Sequence, residues 1–401
     1  MFSTTQKLNS VRGLSLENSG ATALSTASSA TKTSYDSMMP RLRIAQIAPL
    51  YERIPPKLYG GTERVVSYIT EELVRRGHDV TLFAAGDAET NARLHPACPQ
   101  ALRLAGKQEL GPFLQLPMLS DVYENANHFD VIHSHIDHWS FAFARLSKTP
   151  TISTMHGRLD IEDLKPVYSR YQTVPLVSIS NGQRLPLPLM NWVATVFHGL
   201  PRDLLTFSKG PGKYLAFLGR ISPEKRPDLA IDVALKAGIP IKLAAKVDVV
   251  DRAYFDQVIK PRLSEPGVEY IGEINESQKN EFLGNSLALM FTIDWPEPFG
   301  LAMIEALACG TPVIARPCGS VPEVLRNGVS GLIATEFDDL VKAVRNIERV
   351  SREGCRKEFE TRFTAEVMAT RYEHIYLDLM GAHRNGSSPH ERFEEISPAA
   401  R

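Results

Sequence analysis

The chain has almost no excess charge of either sign: 45 Lys and Arg stand against 46 Asp and Glu, a formal net charge of −1 over 401 residues. A dedicated nucleic-acid binder needs a basic excess to engage phosphates, so that class is excluded. Attachment to membranes through a polybasic surface loses its basis too, although a local patch leaves weak membrane association open. No run of 18 apolar residues occurs, which is the length a bilayer-spanning helix requires. The four cysteines (Cys98, Cys309, Cys318 and Cys355) form no C-x-x-C pair and no dense framework. They fit small buried hydrophobes in a reducing, cytoplasmic compartment. Two phosphate-binding fingerprints are also missing, G-x-G-x-x-G and G-x-x-x-x-G-K-[ST]. Dehydrogenase and P-loop readings thereby lose their main support.

What is there describes a globular protein. Hydrophobic residues make up 43% and charged residues 23%, and the length suggests two to three domains at roughly 150 residues each. Residues 1–40 differ from the rest, with abundant Ser and Thr and the low-complexity run STASSATKTS. Such a segment buries too little apolar surface to offset its ordering entropy, so the expectation is a disordered tail. Lys7, Arg12 and the hydroxyl content hint at a transit peptide, which Glu17, Asp36 and the single Arg argue against. Residues 382–401 read as a second flexible tail.

Between the tails, strand and helix alternate. Arg43 to Ala48 is a short apolar run closed by Pro49, and TERVVSYITEELVRR puts Val65, Val66, Ile69 and Leu73 on one face. Thr62 is its expected N-cap and Gly77 its stop. The rhythm continues through DVTLFA, DVIHSH, TISTM and VPLVSIS, pauses at the Gly/Pro-containing SKGPGK, and resumes at Tyr214 with a second series. Alternation of this kind predicts α/β architecture, parallel sheets covered on both faces. Two series predict two doubly wound, Rossmann-like domains, residues 41–205 and 206–363, whose ligands sit at the strands' carboxyl ends.

Several motifs lie at such ends. Gly60 and Gly61, after Tyr59 and before a helix, allow close backbone approach, and the helix start offers free N–H groups to an anion; a plain tight turn is the simpler reading. In GRISPEK, Arg220 and Lys225 flank a Pro turn and could clamp a diphosphate, Arg as a fork and Lys as a point charge. The most informative stretch is EPFGLAMIE, Glu297 to Glu305. Were it all helix, the two carboxylates would be offset by roughly 12 Å along the axis. A glycosidase pair needs about 5–9.5 Å across one bond. One elongated ligand held at two places fits better, with Glu297 on the loop, Glu305 two turns into the helix, and free N–H groups near Gly300, Leu301 and Ala302 facing phosphates. A solvated helix residue is the simpler reading of Glu305.

HSHIDH (His133 to His138) has the spacing of a dizinc hydrolase, but it also fits a buried strand whose polar residues emerge at a cleft. TMHG and FHG place His156 and His198 beside glycines at strand ends, where a histidine can meet a reacting sugar or phosphate; a structural role is the more common one.

Together, GGTERVV, RGHDVTLFA, DVIHSH, TMHG, FLGRISPEK, EPFGLAMIEALACGTPVIA and GSVPEVLRNGVSGLIA resemble the retaining glycosyltransferases of family 4 in order and spacing, over about residues 42–380. The opening RIAQIAPLYERIPPKLYGGTERVV looks most like a branch that includes a glycosyltransferase of avilamycin biosynthesis. The resemblance implies a GT-B fold, two domains facing across a cleft, with a helix over 364–381 crossing back to the first. It implies that a nucleotide-diphosphate sugar, UDP-linked, is the donor, and that the acceptor is a small molecule, a lipid-linked group or a glycan. Arg220 and Lys225 would hold the diphosphate, Glu297 the donor sugar and Glu305 the ribose. The backbone at Phe299, Gly300 and Leu301 would meet sugar and phosphates, Gly60 and Gly61 would approach from the other domain, and His156 would lie beside the reacting sugar, with His198 near it. Transfer would need no metal and no cofactor, and the chain has no D-x-D. FHGLP departs from the family's more usual H-N-G-[IV]-D, which bears on sugar preference. Rival readings are a zinc hydrolase built on HSHIDH, a same-fold epimerase or phosphorylase, and a catalytically dead sugar-binding scaffold.

Overall fold

The computed structural model describes residues 39–58 and 60–385. Nearly all of the two expected tails lies outside the described residues, as does Tyr59.

Among the described residues, thirteen strands form two sheets. The first has seven strands, β1 (Arg43–Ile47), β2 (Asp79–Ala85), β3 (Arg93–Cys98), β4 (Val131–Ser134), β5 (Thr151–Thr154), β6 (Leu176–Ser178) and β7 (Trp192–Thr195), in the order β3-β2-β1-β4-β5-β6-β7. The second has six, β8 (Tyr214–Arg220), β9 (Ile241–Lys246), β10 (Val268–Gly272), β11 (Ser286–Phe291), β12 (Val313–Ala315) and β13 (Gly331–Ile333), in the order β10-β9-β8-β11-β12-β13. All pairings are parallel. β1, β2 and β4 are buried almost throughout, because helices cover both faces of a parallel sheet. The strand β3, RLHPAC, lacks the apolar run of its neighbours: it is a half-exposed edge, where Pro96 is tolerated.

The order of strands reverses beside β1 in one sheet and beside β8 in the other. Crevices at such switch points are where open α/β sheets bind ligands. Helix α1 (Gly61–Arg75) follows β1 with Gly60, not Thr62, as its N-cap, and Gly77 at φ 91° ends it. Helix α2 (Pro227–Ala237) starts where Pro227 predicts and stops at Gly238 in the left-handed region. Helices α3 (Glu276–Gly284), α4 (Leu301–Ala308) and α5 (Arg352–Arg362) complete the parts of the second sheet's cover that bear on the cleft.

Helix α6 (Ala365–Asn385), which ends four residues later than expected, returns to pack on α1. Leu200 donates to Phe363 O (2.9 Å) and accepts from Ala365 N (2.7 Å), which threads the crossover against the first sheet. From there Met368, Ala369, Tyr372, Ile375, Tyr376 and Leu379 are buried, each large side chain contributing ~1.5–3 kcal/mol. Arg76 of α1's end reaches Glu373 (2.6 Å) and Glu366 O (2.7 Å), and His78 meets Glu373 at 2.9 Å. The segment joining the sheets is pinned as well. Arg356 donates to the carbonyls of Arg202, Leu205 and Ala308, and Arg352 to those of Ser208, Gly284 and Ser286.

The inner face of α6 is polar where it meets β4 and β5. Tyr376 Oη is 2.8 Å from His133 Nδ1, His133 Nε2 is 2.7 Å from Thr154 Oγ1, and Tyr372 Oη is 2.9 Å from the same hydroxyl. Burial holds His133, His135 and His198 well below the usual imidazole range and takes His156 down to about 3.

Two outcomes follow from this packing. A Cβ on Gly199 would overlap the Thr364 carbonyl, whereas one on Gly210 meets nothing within 4 Å. Gly199→Ala should lower unfolding stability by ~1–3 kcal/mol in urea titration and Gly210→Ala should not; equal stabilities would contradict the crossover contact. The second concerns pH. Below about 6.5 the unfolded chain binds protons that the four buried imidazoles refuse, so acidification removes stability. Glu63 and Asp137, raised by burial to about 7 and about 6, act in the opposite sense together with the raised carboxyls of Glu52 and Asp251, while His138, also lowered by burial, joins the four imidazoles. The denaturation midpoint should therefore drop between pH 7 and pH 5; a flat or rising midpoint would contradict neutral burial of the cluster.

Candidate active site

A cleft of roughly 490 Å³ opens along the carboxyl ends of both sheets. All eleven candidate residues line it: Gly60, Gly61, His156, His198, Arg220, Lys225, Glu297, Phe299, Gly300, Leu301 and Glu305. They stand at the end of β8, in the loops that leave β1, β5, β7, β8 and β11, and in the helices α1 and α4. HSHIDH contributes none of the cleft's lining residues.

Two helix starts face each other here. An ideal Cβ on Gly61, at the start of α1, would lie 3.6 Å from Leu301 Cδ1, at the start of α4. Gly300 caps α4 at φ 82°, and a Cβ there would come within 2.7 Å of Phe291 and 2.9 Å of Met303. Only glycine fits both the left-handed backbone and the space. Helix α4 begins at Leu301, so Glu305 stands one turn into it, not two, and Glu297 belongs to the preceding loop.

That loop is held from both sides of the cleft. Ser320 Oγ donates to Phe299 O (2.7 Å), Ser320 N to Glu297 O (3.0 Å), and Ser180 Oγ, from the first sheet's side, to Pro298 O (2.6 Å). Gly319, at φ 56°, packs so closely on the Glu297 backbone that no side chain would fit. Glu323 accepts from the N–H groups of Asn181 (2.7 Å) and Gly182 (2.7 Å), a second tie between the two sheets' layers.

The charges are arranged in pairs. Lys225 Nζ contacts Glu297 Oε2 and lies 4.9 Å from the ring centre of Trp295. Arg220 pairs with Glu224 and is 3.4 Å from Asp251 and 3.8 Å from Asp248. Deeper, Lys279 on α3 donates to Glu305 at 2.6 Å, and Glu276 pairs with Arg64 of α1. Burial lowers the Lys279 ammonium while Glu305 works to raise it. Glu305 is 3% exposed, which removes the solvated-helix reading. Near the first sheet, Glu52 pairs with Arg103 at 2.9 Å and its carboxyl is raised by burial.

The histidines form a stack over this floor. His156 and His198 lie ring to ring with centres 5.2 Å apart, and Phe299 meets His198 edge-on at 4.8 Å. His156 Nδ1, His198 Nδ1 and Trp295 Nε1 are buried without a protein partner, which for a native structure points to an interaction still to be made. The nitrogens of His133 are spent on Tyr376 and Thr154, and those of His135 on Gln46 and His156. No group of three or more His, Cys, Asp or Glu among the described residues is placed to hold a metal ion.

Four contributors escaped the motif reading. Lys279 lies 26 positions from Glu305 and carries no local signature. Gly319 and Ser320 sit in the quoted GSVPEVL, but their service to the Glu297 loop depends on folding. Arg64 shares the GGTERVV motif yet reads as a surface charge until α1 is placed against α3.

Comparison with known proteins agrees with this geometry. The profile "Glycosyltransferase Family 4" matches residues 59–221 and "Glycosyl transferases group 1" matches residues 206–362. A D-inositol 3-phosphate glycosyltransferase of Mycobacterium marinum is 30% identical, with 78% of each chain covered. The enzyme of that name from Mycolicibacterium smegmatis is 24% identical over 81% of this chain and 88% of its own. Among solved structures, AviGT4, a glycosyltransferase involved in avilamycin A biosynthesis, matches with a TM-score of 0.66 at 20% identity, covering 85% of this chain and 98% of that one. Anabaena HepE in complex with UDP and glucose matches at 0.65 and 16%, covering 84% and 99%. The two parallel sheets are thus those of the GT-B fold, and the chain belongs to glycosyltransferase family 4, retaining enzymes that transfer a sugar from a nucleotide sugar.

Proposed function

We propose that the donor is a UDP-linked sugar, bound with its diphosphate between the starts of α1 and α4, and that residues 41–205 form the acceptor domain and 206–363 the donor domain. The observation that carries the reading is convergence: Arg220, Lys225 and two helix N-termini meet in one cleft. Each helix start presents unpaired N–H groups and a partial positive charge. One neighbour of the same fold, Anabaena HepE, holds UDP with glucose in one crystal structure and UDP-glucose in another, which supports the choice of nucleotide.

On this reading Arg220 and Lys225 stabilise the departing UDP, Glu297 orients the donor sugar, and Glu305, steadied by Lys279, receives the ribose. The bond between the anomeric carbon and the diphosphate oxygen breaks as the acceptor oxygen bonds to the same face. The leaving phosphate oxygen takes the acceptor's proton, so no carboxylate nucleophile is required. Fixed charge at the leaving group and orientation of the sugar supply the acceleration. Closure that strengthens ties such as Glu323–Asn181 would complete the site and exclude water. Acceptor specificity then falls to the first sheet's loops, among them the Glu52–Arg103 pair.

The zinc-hydrolase alternative loses its footing because the ring nitrogens of His133 and His135 are engaged inside the protein. Lys225→Ala and Glu297→Ala should each lower kcat by ~10²–10³-fold with unchanged circular dichroism; full activity in either would sink the assignment. In a thermal-shift panel of UDP-, ADP-, GDP- and dTDP-sugars, a UDP-sugar at about 100 times its Kd should stabilise the fold by ~2.7 kcal/mol. A larger shift with a purine nucleotide sugar would overturn the UDP choice.

A further inference from the structure

His156 is not held by the cleft alone. Its Nε2 is 2.9 Å from His135 Nδ1, and His135 Nε2 is 2.8 Å from Gln46 Oε1. Gln46 and His135 are buried, at 0% and 2% exposure, and neither is on the cleft wall. With Gln46 Oε1 facing His135 and Gln46 Nε2 facing Tyr376, this chain of contacts runs one way for neutral rings. A carboxamide oxygen only accepts, so His135 Nε2 must carry the proton. His135 Nδ1 is then a bare acceptor, and the contact at 2.9 Å requires the proton on His156 Nε2. What is left to His156 is an unprotonated Nδ1, the atom that is buried and has no partner in the protein.

The other end of the Gln46 amide meets helix α6. Its Nε2 donates to Tyr376 Oη at 3.4 Å, and that hydroxyl, having accepted, gives its own proton to His133 Nδ1 at 2.8 Å. His133 Nε2–H then donates to Thr154 Oγ1. Every step has one donor and one acceptor, so the members can reverse only together, with the Gln46 amide turned over. The anchor of the sequence is therefore helix α6, and its far end is the cleft. Four stacked or adjoining imidazoles, all deeply buried, oppose a second proton on any of them.

We propose that Gln46 and His135 are positioning residues that fix His156 in the tautomer with Nε2 protonated and Nδ1 bare, so that His156 meets the donor sugar as an acceptor for one of its hydroxyls. This rests on the reading above that His156 touches the sugar. A bare nitrogen discriminates: it rewards a hydroxyl donor at that position of the ring and penalises a sugar lacking it, since the buried lone pair would stay unpaired.

The test uses the full chain labelled with ¹⁵N-histidine. Long-range proton–nitrogen correlation should show His156 Nδ1 as an unprotonated ring nitrogen and Nε2 as N–H in the ligand-free protein. His135→Leu should shift His156 towards a mixture of tautomers and lower kcat ~10–100-fold while UDP affinity is unchanged. His135→Gln, which keeps an acceptor towards His156 and a donor towards Gln46, should restore both the tautomer and most of kcat. A proton on Nδ1 in the wild type overturns the proposal, as does His135→Leu with wild-type tautomer and kcat. Loss of activity in His135→Gln with the tautomer intact reduces the pair to a structural role and equally overturns it. Should His135→Leu fail to fold, the wild-type spectrum and His135→Gln decide. Full activity in His156→Ala would overturn the sugar contact while leaving the tautomer assignment standing, so the two failures are distinguishable.

Discussion

Parallel pairing is the constraint on which the rest of this molecule depends. Because all thirteen strands run the same way within their sheets, their carboxyl ends gather at one edge, and each following helix begins there. Helix starts carry unpaired N–H groups, so that edge is electropositive before any side chain is counted. Two such edges facing each other offer backbone N–H groups from both sides of the cleft. Arg220 and Lys225 then add charge at the β8 edge without the protein needing any overall basic excess.

The cleft's cations are stored against carboxylates. Lys225 with Glu297, Arg220 with Glu224, Lys279 with Glu305 and Arg64 with Glu276 keep long side chains in one arrangement. Partly buried pairs of this kind add little net stability, since desolvation offsets much of the attraction. Their value is order: on the proposed reading the charges stand ready for an entering diphosphate. The same economy explains why a phosphate-binding enzyme carries a net charge of −1. Helix α6 extends the ordering from the opposite direction. Its tyrosines brace His133, Thr154 and Gln46, joining the crossover to the strand ends beside the cleft.

Local chemistry was legible in the chain wherever a role is carried by neighbours in sequence. Gly300 before an apolar run, Pro227 at a helix start and Arg220 five residues from Lys225 could each be read without coordinates. The strand β3 could not, because an edge strand bearing Pro96 and half-exposed side chains lacks the apolar run that marks its neighbours. The position of Glu305 was misjudged by a turn, since the Glu297 loop stays irregular until Gly300 admits the left-handed backbone that starts α4. HSHIDH was ambiguous by nature: histidines at metal spacing and histidines in a buried hydrogen-bonded strand share one pattern, and only their partners separate the two.

Composition, alternation and the segment from Glu297 to Glu305 by themselves determined the class: an α/β chain of two doubly wound parts, with its cations and glycines at strand ends. They could do so because strand, turn and helix signals, and the glycine a left-handed cap requires, act over a few residues. Folding alone decided which distant groups share a partner. Lys279 reaches Glu305, Ser180 holds the Pro298 carbonyl, and Gln46 meets His135. Those contacts join positions from 26 to 118 apart. Nothing in a local pattern encodes them, because each exists only once burial has removed water and left one partner within reach.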